Sequence, residues 1–471
     1  MLFHYIVCAL LIIILISFFI YKAVKKKPVL RCMLDYINFQ LLTVVIALII
    51  LDVVFLIKKD VRELINFSIL TAFVASFCIK TLCSILVWHF KNKIEDSVKL
   101  STNYKSIVKK YKGSETKFID LNDDEKEEKD YIPVLKDFTW EDFDVNKIEI
   151  EDDKRKTYRV TKTNPDTEMI YEYRDQLFMA HDTSNTYNQL NIRVDDWYVS
   201  DRKLHLRTSR TTYFASLLTN RVMDYVMNNE FSVREIMQPG PFVPELVDSA
   251  LSNHLGFNAF VISLDGYIPF IKRNNIVSIG KNTYGTSIGA SVKTMYALDS
   301  YNGDFSEFGL ECAIYKELED ELKIVKKPED YNKDILPTYE IIAAYRDVVE
   351  GNKPQLLAFI RVKGNYEDIT KHFIDEIHKK NKDKKKLTKE EKEQEDGSTL
   401  VWFSKDEFLK IEIHDDHFIG KSASSKKRET YNIVPSAAAS IYYTQKYIKS
   451  KEKKNVQASG TADKRKKSKR R

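Results

Sequence analysis

The chain has 471 residues, enough for two or three domains, and 30% of them are charged and 12% aromatic. This globular balance excludes a wholly disordered chain. The formal net charge is only +6, but the charges are unevenly spread. The first ninety or so residues hold three long apolar runs, whereas the remainder is rich in Lys, Asp, Glu and Asn.

The apolar runs, residues 2–21, 37–57 and 64–90, predict three membrane-spanning helices. Each is long enough to cross a hydrocarbon core of roughly 30 Å, which takes about 20 helical residues. A cleaved signal peptide is the alternative for the first run. That run lacks a basic start and a small-residue cleavage site, and its lysines follow the apolar stretch, so an anchor is favoured.

Basic residues beside the runs predict the orientation, because positive charge is retained on the cytoplasmic side. The first loop has five of them and the segment after the third run has three, eight together, whereas the second loop has only Lys58, Lys59 and Arg62. We therefore expect a multi-pass protein of the inner (plasma) membrane with its C-terminal domain in the cytoplasm. Four of the five cysteines lie in or beside the runs, which agrees with a reducing compartment for the rest of the chain.

Two ionisable residues fall inside the predicted spans. Lys80 lies near the middle of the third run, where a charge is costly unless it faces a partner, a neighbouring helix or water. A role in a helix bundle or pore and a purely structural role both stay open for it. Asp52 lies closer to the end of its run, where its side chain can reach the lipid headgroups.

The remainder divides by composition into a charged linker (93–135), a β-rich extension (136–204), a mixed region (205–448) and a basic disordered tail (449–471). Strands are predicted at 147–153, 156–163, 169–179, 188–199, 203–209 and 291–298, and helices at 211–229 and 244–254. Two hairpins are also predicted, one turning at Asp265-Gly266 and one at residues 350–352. The last predicted elements are a strand at 399–404 with a helix after it and a closing helix at 436–447.

The stretch ECAIYKELEDELKI, residues 311–324, is the most informative one for chemistry. Its apolar residues Ile314, Leu318 and Leu322 repeat every four positions, which predicts a helix packed on a sheet. Glu317, Asp320 and Glu321 stand at i, i+3 and i+4, on a face beside that stripe. Three carboxylates there are candidate Mg²⁺ ligands, with Lys316 balancing their charge; the alternative is a solvated acidic face.

Residues 316–324 resemble the second half of a NUDIX box, and Gly289 and Val292 fall where that family places the glycines and the strand before the box. The resemblance implies an α/β/α sandwich with a mixed sheet over residues 205–448. Lys316 replaces the Arg of the pattern, Lys323 replaces its closing Gly, and the upstream Glu falls on Phe308. Lysine lacks the bidentate fork of arginine, so the resemblance implies the fold more than hydrolysis.

Two further groups are candidate sites. Lys272 and Arg273 end the predicted hairpin and are candidates for phosphate binding; exposed strand-end charges are the alternative. The sequence from His414 to His417 has metal-ligand residue types, although loops rich in Asp and His are commonly solvated. The glycines at 280, 285 and 289 match neither a Walker loop nor a dinucleotide-binding loop.

Apolar runs followed by a NUDIX-like region are similar to the transmembrane-NUDIX effectors of bacterial cyclic-oligonucleotide antiphage (CBASS) systems. This similarity implies a non-catalytic, nucleotide-binding effector that senses a cyclic oligonucleotide and whose spans then assemble to disrupt the membrane. Its expected partners are that messenger, membrane lipids and further copies of itself, without specific nucleic acid. The alternatives are an anchored Mg²⁺-dependent hydrolase of nucleoside diphosphate conjugates, using Glu317, Asp320 and Glu321, and a nucleotide-insensitive scaffold.

Overall fold

The computed structural model describes residues 100–122, 130–181, 188–227, 231–273, 282–298, 303–324, 337–382, 384, 387 and 389–468. By Cα proximity the chain divides into two compact units, residues 1–99 with 168–182 in one and the remainder in the other. Helix Glu168–His181 is the described part of the first unit. The elements treated below belong to the second.

The strands are, in chain order, β1 (Phe118–Asp120), β2 (Tyr131–Thr139), β3 (Ile148–Thr157), β4 (Leu190–Ser200), β5 (Lys203–Thr212), β6 (Val226–Met227), β7 (Phe231–Ser232), β8 (Gly256–Ile262), β9 (Tyr267–Lys272), β10 (Tyr284–Gly285), β11 (Ile288–Ser291), β12 (Thr338–Asp347), β13 (Lys353–Arg361), β14 (Leu400–Ser404), β15 (Glu412–Ile413), β16 (His417–Gly420) and β17 (Glu429–Asn432). The helices are α1 (Tyr104–Lys110), α2 (Glu168–His181), α3 (Tyr213–Leu218), α4 (Val233–Met237), α5 (Thr294–Ala297), α6 (Glu307–Leu322), α7 (Tyr366–Asn381), α8 (Lys389–Glu395), α9 (Lys405–Phe408) and α10 (Pro435–Ser468).

A six-stranded mixed sheet, in the order β1-β2-β12-β13-β8-β11, organises the second unit. Its pairs are antiparallel except β8 and β13, which run parallel. Strands β12 and β13 are buried along most of their length, as expected for central strands covered on both faces. Smaller sheets are formed by β10-β9-β14, β15-β16-β17 and β3-β5-β4.

The apolar core lies on both faces of the central sheet. One face packs against α6, α7 and the β3-β5-β4 sheet, with Leu318 and Phe373 among the buried side chains. The other face packs against α10 and the β9-β14 strands, where Phe270 and Tyr443 are buried. Strands from both halves of the sequence thus contribute to one layered body, and β1 and β2 extend its sheet at one edge.

Several predicted elements are confirmed. Helix α6 buries the stripe of Ile314, Leu318 and Leu322, and Ser306 caps its start by accepting from the Gly309 amide at 3.2 Å. Strands β12 and β13 form the predicted hairpin, which turns through left-handed Gly351 and Asn352. Strand β14 and the short helix α9 also lie where the sequence predicts them.

Other predicted elements are wrong. Residues 169–179 lie in helix α2, not in a strand, and 294–297 form helix α5. The helix predicted at 211–229 is confined to α3, and the one at 244–254 is a single 3-10 turn at Leu246–Asp248. The Asp265-Gly266 turn is present, but β8 and β9 diverge into different sheets. The closing helix continues to Ser468, well into the predicted disordered tail.

Within the ranges described, no helix is both long and apolar enough to cross a membrane. Charged residues recur along the long helices, and the second half of α10 is mostly polar and basic. That finding contradicts the predicted membrane fold class, the transmembrane character and the multi-pass inner-membrane localisation. The described part is an α+β fold of mixed sheets and helices, the class expected for the region after the predicted spans. The three predicted spans, with Asp52 and Lys80, lie outside the described residues.

Candidate functional site

A pocket of about 380 Å³ opens where strands β8 to β11, the end of α6 and the start of α10 meet. Its walls carry four basic and three acidic side chains together with four amides. They are Arg221, Lys272, Arg273, Lys353, Glu321, Glu350, Glu393, Asn258, Asn282, Gln355 and Gln394. Among the described residues that line it, none is aromatic. Of the predicted site residues, the pocket therefore brings together Lys272, Arg273 and Glu321.

Pairing between β9 and β10 places the two predicted phosphate-binding residues. Tyr284 lies opposite Lys272 in this ladder, and the Arg273 amide donates to the Thr283 carbonyl at 2.8 Å. The Arg273 side chain then lies against Gly285, where a Cβ would be only 3.7 Å from Nε. The Lys272 ammonium pairs with the Glu393 carboxylate of α8 at 2.9 Å.

The deep end of the pocket is a charge network at the turn between β12 and β13. The Glu350 carboxylate lies 3.1 Å from Arg221 Nε and 3.1 Å from Lys353 Nζ. Glu350 and Lys353 are both buried. Burial raises the pKa of neighbouring Asp347 to about 7, and the Glu350 charge adds to this rise while Lys353 opposes it. Two cations thus share the Glu350 carboxylate.

Arg273 adds a further cation to this network. Burial lowers the pKa of Arg273, and repulsion from Arg221 lowers it further, while Glu350 and Glu321 act in the opposite direction. Both guanidinium groups line the same pocket, so an anion bound there would be attracted to each of them.

Two amides form the floor beside this network. Asn258 Nδ2 donates to Tyr345 Oη at 3.0 Å and to Gln355 Oε1 at 3.2 Å. Gln355 lies directly over Gly256, where a Cβ would come within 1.9 Å of Oε1. A glycine at this point of β8 therefore lets the amide lie close over the strand. Both side chains offer hydrogen bonds to a polar ligand.

The three carboxylates of α6 point to different surroundings. Glu317 is buried and its Oε1 accepts from Lys293 Nζ at 2.8 Å. Asp320 Oδ2 accepts from Tyr296 Oη at 3.1 Å, and Lys316 lies 3.4 Å from its other oxygen. Glu321 alone of the three lines the pocket.

Burial and neighbouring charges shift the pKa values of Glu317 and Glu321. Burial raises the pKa of Glu317, against the opposing effect of Lys293. Burial also raises the pKa of Glu321, the charge of Glu317 adds to the rise, and Arg273 opposes it. Lys316, a predicted ligand-binding residue, does not line the pocket; its ammonium pairs with Glu319 at 2.9 Å.

Among the described residues, no three His, Cys, Asp or Glu side chains are grouped as metal ligands. His414 and His417 stack at 4.2 Å on the β15-β16 hairpin, and His417 Nδ1 lies 2.6 Å from Asp416 Oδ1. A magnesium site at Glu317, Asp320 and Glu321 stays a prediction from the sequence.

No family model matches the chain, and no curated protein matches it significantly. The NUDIX resemblance therefore stays a prediction that rests on residues 316–324 and their neighbours.

Sequence reasoning missed Arg221, Lys353 and Glu350, which form the deep end of the pocket. Arg221 follows a short helix and the other two flank a hairpin turn, so nothing in their local patterns indicates a site. Lys293, which pairs with Glu317, was missed for the same reason. Their segments are separate in the sequence and come together only in the folded chain.

Proposed function

We propose that the described part of the chain is a binding module that holds a phosphorylated ligand of nucleotide size intact. A cyclic oligonucleotide, the messenger that the sequence resemblance implies, is the first candidate. The observation that carries the proposal is the convergence of Arg221, Arg273 and Lys353 on one cavity. Messenger sensing is the part of the predicted antiphage role that this pocket can carry out.

Charge favours an anion in this cavity. The lining has four basic side chains against three acidic ones, and Arg221 and Lys353 share the single carboxylate of Glu350. A phosphodiester supplies an anionic acceptor for guanidinium donors, and such charge-assisted hydrogen bonds are about twice as strong as neutral ones. Phosphate is therefore the group that best complements the deep end.

The size and polarity of the pocket also fit. Its volume of about 380 Å³ lies within the range of roughly 300–1,000 Å³ that is usual for small-molecule sites. Because its described lining is not aromatic, we expect recognition through phosphates and polar edges rather than through base stacking. Asn258 and Gln355 are the side chains best placed for those polar edges.

Binding without hydrolysis follows from the partners of the α6 carboxylates. Glu317 is held by Lys293, and Asp320 is held by Tyr296 and Lys316. Hydrolysis by a metal-activated water needs carboxylates that are available to hold the metal. Only Glu321 of the three faces the pocket.

The first test is calorimetric titration of the full chain with cyclic di- and trinucleotides. Arg273→Ala should weaken binding of the preferred ligand by about tenfold or more, since a charge-assisted contact is lost. Arg202→Ala is the matched control, because this arginine pairs with Asp144 at 2.7 Å outside the pocket lining. It should leave the affinity unchanged.

Absence of binding for the whole panel, or equal affinities for wild type and Arg273→Ala, would contradict the proposal. If the protein binds a nucleoside diphosphate conjugate and cleaves it, the result favours the hydrolase alternative. Mass measurement of the recovered ligand separates these outcomes.

A further inference from the structure

We propose that the Lys293 ammonium is a built-in cation for the carboxylates of α6, so that this helix needs no divalent metal. The NUDIX resemblance implies Mg²⁺ at these carboxylates, but the residues around them do not fit that ion. The proposal deepens the function proposed above. Its ligand experiment rests on that function, whereas its metal experiment does not.

The contacts of Lys293 are those of a counter-ion in place. Its Nζ lies 2.8 Å from Glu317 Oε1 and 5.0 Å from the centre of the Tyr296 ring. The Tyr296 hydroxyl in turn donates to Asp320 Oδ2 at 3.1 Å. One short segment, residues 293–296, thus occupies an oxygen of Glu317 and an oxygen of Asp320.

Burial makes this pairing hard to replace. Glu317 is only 3% exposed, and the Lys293 side chain is 21% exposed. A divalent cation at Glu317 would have to approach an ammonium that already lies 2.8 Å from one of its two carboxylate oxygens.

The backbone holds Lys293 at this position from two sides. On one side, the Ile192 amide donates to the Val292 carbonyl at 3.0 Å, and Thr294 Oγ1 donates to the Leu190 carbonyl at 2.9 Å. On the other, the Ala297 carbonyl lies against Gly309 of α6, where a Cβ would be 1.9 Å from its oxygen. Residues 292–297 thus contact β4 on one side and α6 on the other, which fixes the backbone position from which the Lys293 side chain reaches Glu317.

Hard divalent cations need several ionised oxygens around one point. Here one oxygen of Glu317 and both oxygens of Asp320 already have partners, and Glu321 faces the pocket. Within the described residues, no cluster of three metal-ligating side chains is formed. The Lys293 ammonium balances the charge of the α6 carboxylates in place of a divalent cation. Glu321 and the basic side chains of the pocket then face the ligand.

The direct experiment titrates the full chain with Mn²⁺, followed by electron paramagnetic resonance. We expect wild type to show no stoichiometric Mn²⁺ site that depends on Glu317. Lys293→Met should gain affinity for Mn²⁺ by about tenfold or more, because removing one like charge favours the divalent ion. The double variant Lys293→Met with Glu317→Gln should lose that gain.

Lys117→Met is the matched control, since Lys117 pairs with Glu245 at 2.9 Å but is half exposed. It should gain no Mn²⁺ site. Lys293→Arg keeps the positive charge and should also gain none. If Lys293→Met does not fold, as judged by circular dichroism, Lys293→Gln removes the charge while retaining a hydrogen-bond donor.

A stoichiometric Mn²⁺ site in the wild type that Glu317→Gln abolishes would overturn the proposal. A folded, uncharged variant at position 293 without any gain in affinity would do so as well. In the ligand experiment, EDTA should leave the affinity of the wild type for its cyclic oligonucleotide unchanged. Failure to bind any oligonucleotide would reject the proposed function alone, because the Mn²⁺ titration needs no ligand.

Discussion

At Glu350, two basic side chains share one buried carboxylate, and the strength of this network depends on its surroundings. Removal of one partner from a buried ion pair is strongly destabilising, because it leaves an uncompensated charge. Arg221 and Lys353 are far apart in the sequence, so their convergence could not be predicted. Lys272 and Arg273 could be singled out beforehand because a strand end next to a turn is a common place for ligand contacts.

Asp347 gives this network a testable pH dependence. Its carboxyl keeps its proton in the folded state up to a pKa of about 7, whereas in the unfolded chain the pKa is about 4. Between these values the unfolded state binds fewer protons, so the free energy of unfolding falls as the pH rises and levels off above about 7. The buried neutral carboxyl of Asp347 therefore costs nothing by ionisation at low pH, and its ionisation lowers the free energy of unfolding as the pH approaches neutral.

Asp347→Asn should remove this cost, since an amide oxygen can still accept from the Val349 amide, now at 2.9 Å. Relative to wild type, we expect the variant to gain on the order of 1–3 kcal/mol between pH 5 and pH 8. Urea unfolding at several pH values measures this difference. Glu115→Gln, at an exposed carboxyl, is the control; a gain as large in it, or none in Asp347→Asn, would contradict the assignment.

At the scale of elements, long segments with a regular apolar period could be predicted from the sequence. Short elements, and those determined by contacts with distant segments, could not. Helix α6 and the β12-β13 hairpin have strong local patterns. Helix α2 was predicted as a strand because its aromatic and β-branched residues imitate one, although buried Ile170 and Leu177 are two helical turns apart. The segment before β8 is not helical because its amides bond to other segments, such as Leu255 to the Ile192 carbonyl.

The docking of α5 onto α6 depends on Gly309. Alanine normally stabilises a helix relative to glycine by about 1 kcal/mol. At this position its Cβ would lie 1.9 Å from the Ala297 carbonyl oxygen, so α5 must move. We therefore expect Gly309→Ala to lower the free energy of unfolding by about 2–4 kcal/mol in a urea titration.

Gly289→Ala is the control for this substitution, because its Cβ would meet only ordinary contacts at 3.7–3.8 Å. It should be much less destabilising. A Gly309→Ala protein as stable as the wild type would show that α5 is not packed against α6 as described.

At the scale of the whole molecule, the described chain is a layered α+β body whose central sheet recruits strands from residue 118 to residue 361. The membrane part of the predicted fold class is contradicted, because no helix among the described residues is long and apolar enough to cross a membrane. The apolar runs on which that prediction depends lie outside the described residues. The position of α6 on the sheet could be predicted, since its apolar stripe requires a packing partner. The pocket could not, because it arises where two sheets and three helices meet.

In the most direct test, the full chain is incubated with Mg²⁺ and a cyclic oligonucleotide, and bound ligand is separated from free ligand. The molecular mass of the bound ligand is then measured by mass spectrometry. If the pocket is a binding module, the ligand is retained by the wild type, less by Arg273→Ala, and is recovered with its mass unchanged. A ligand that is not retained, or that is recovered as cleaved products, would contradict this function.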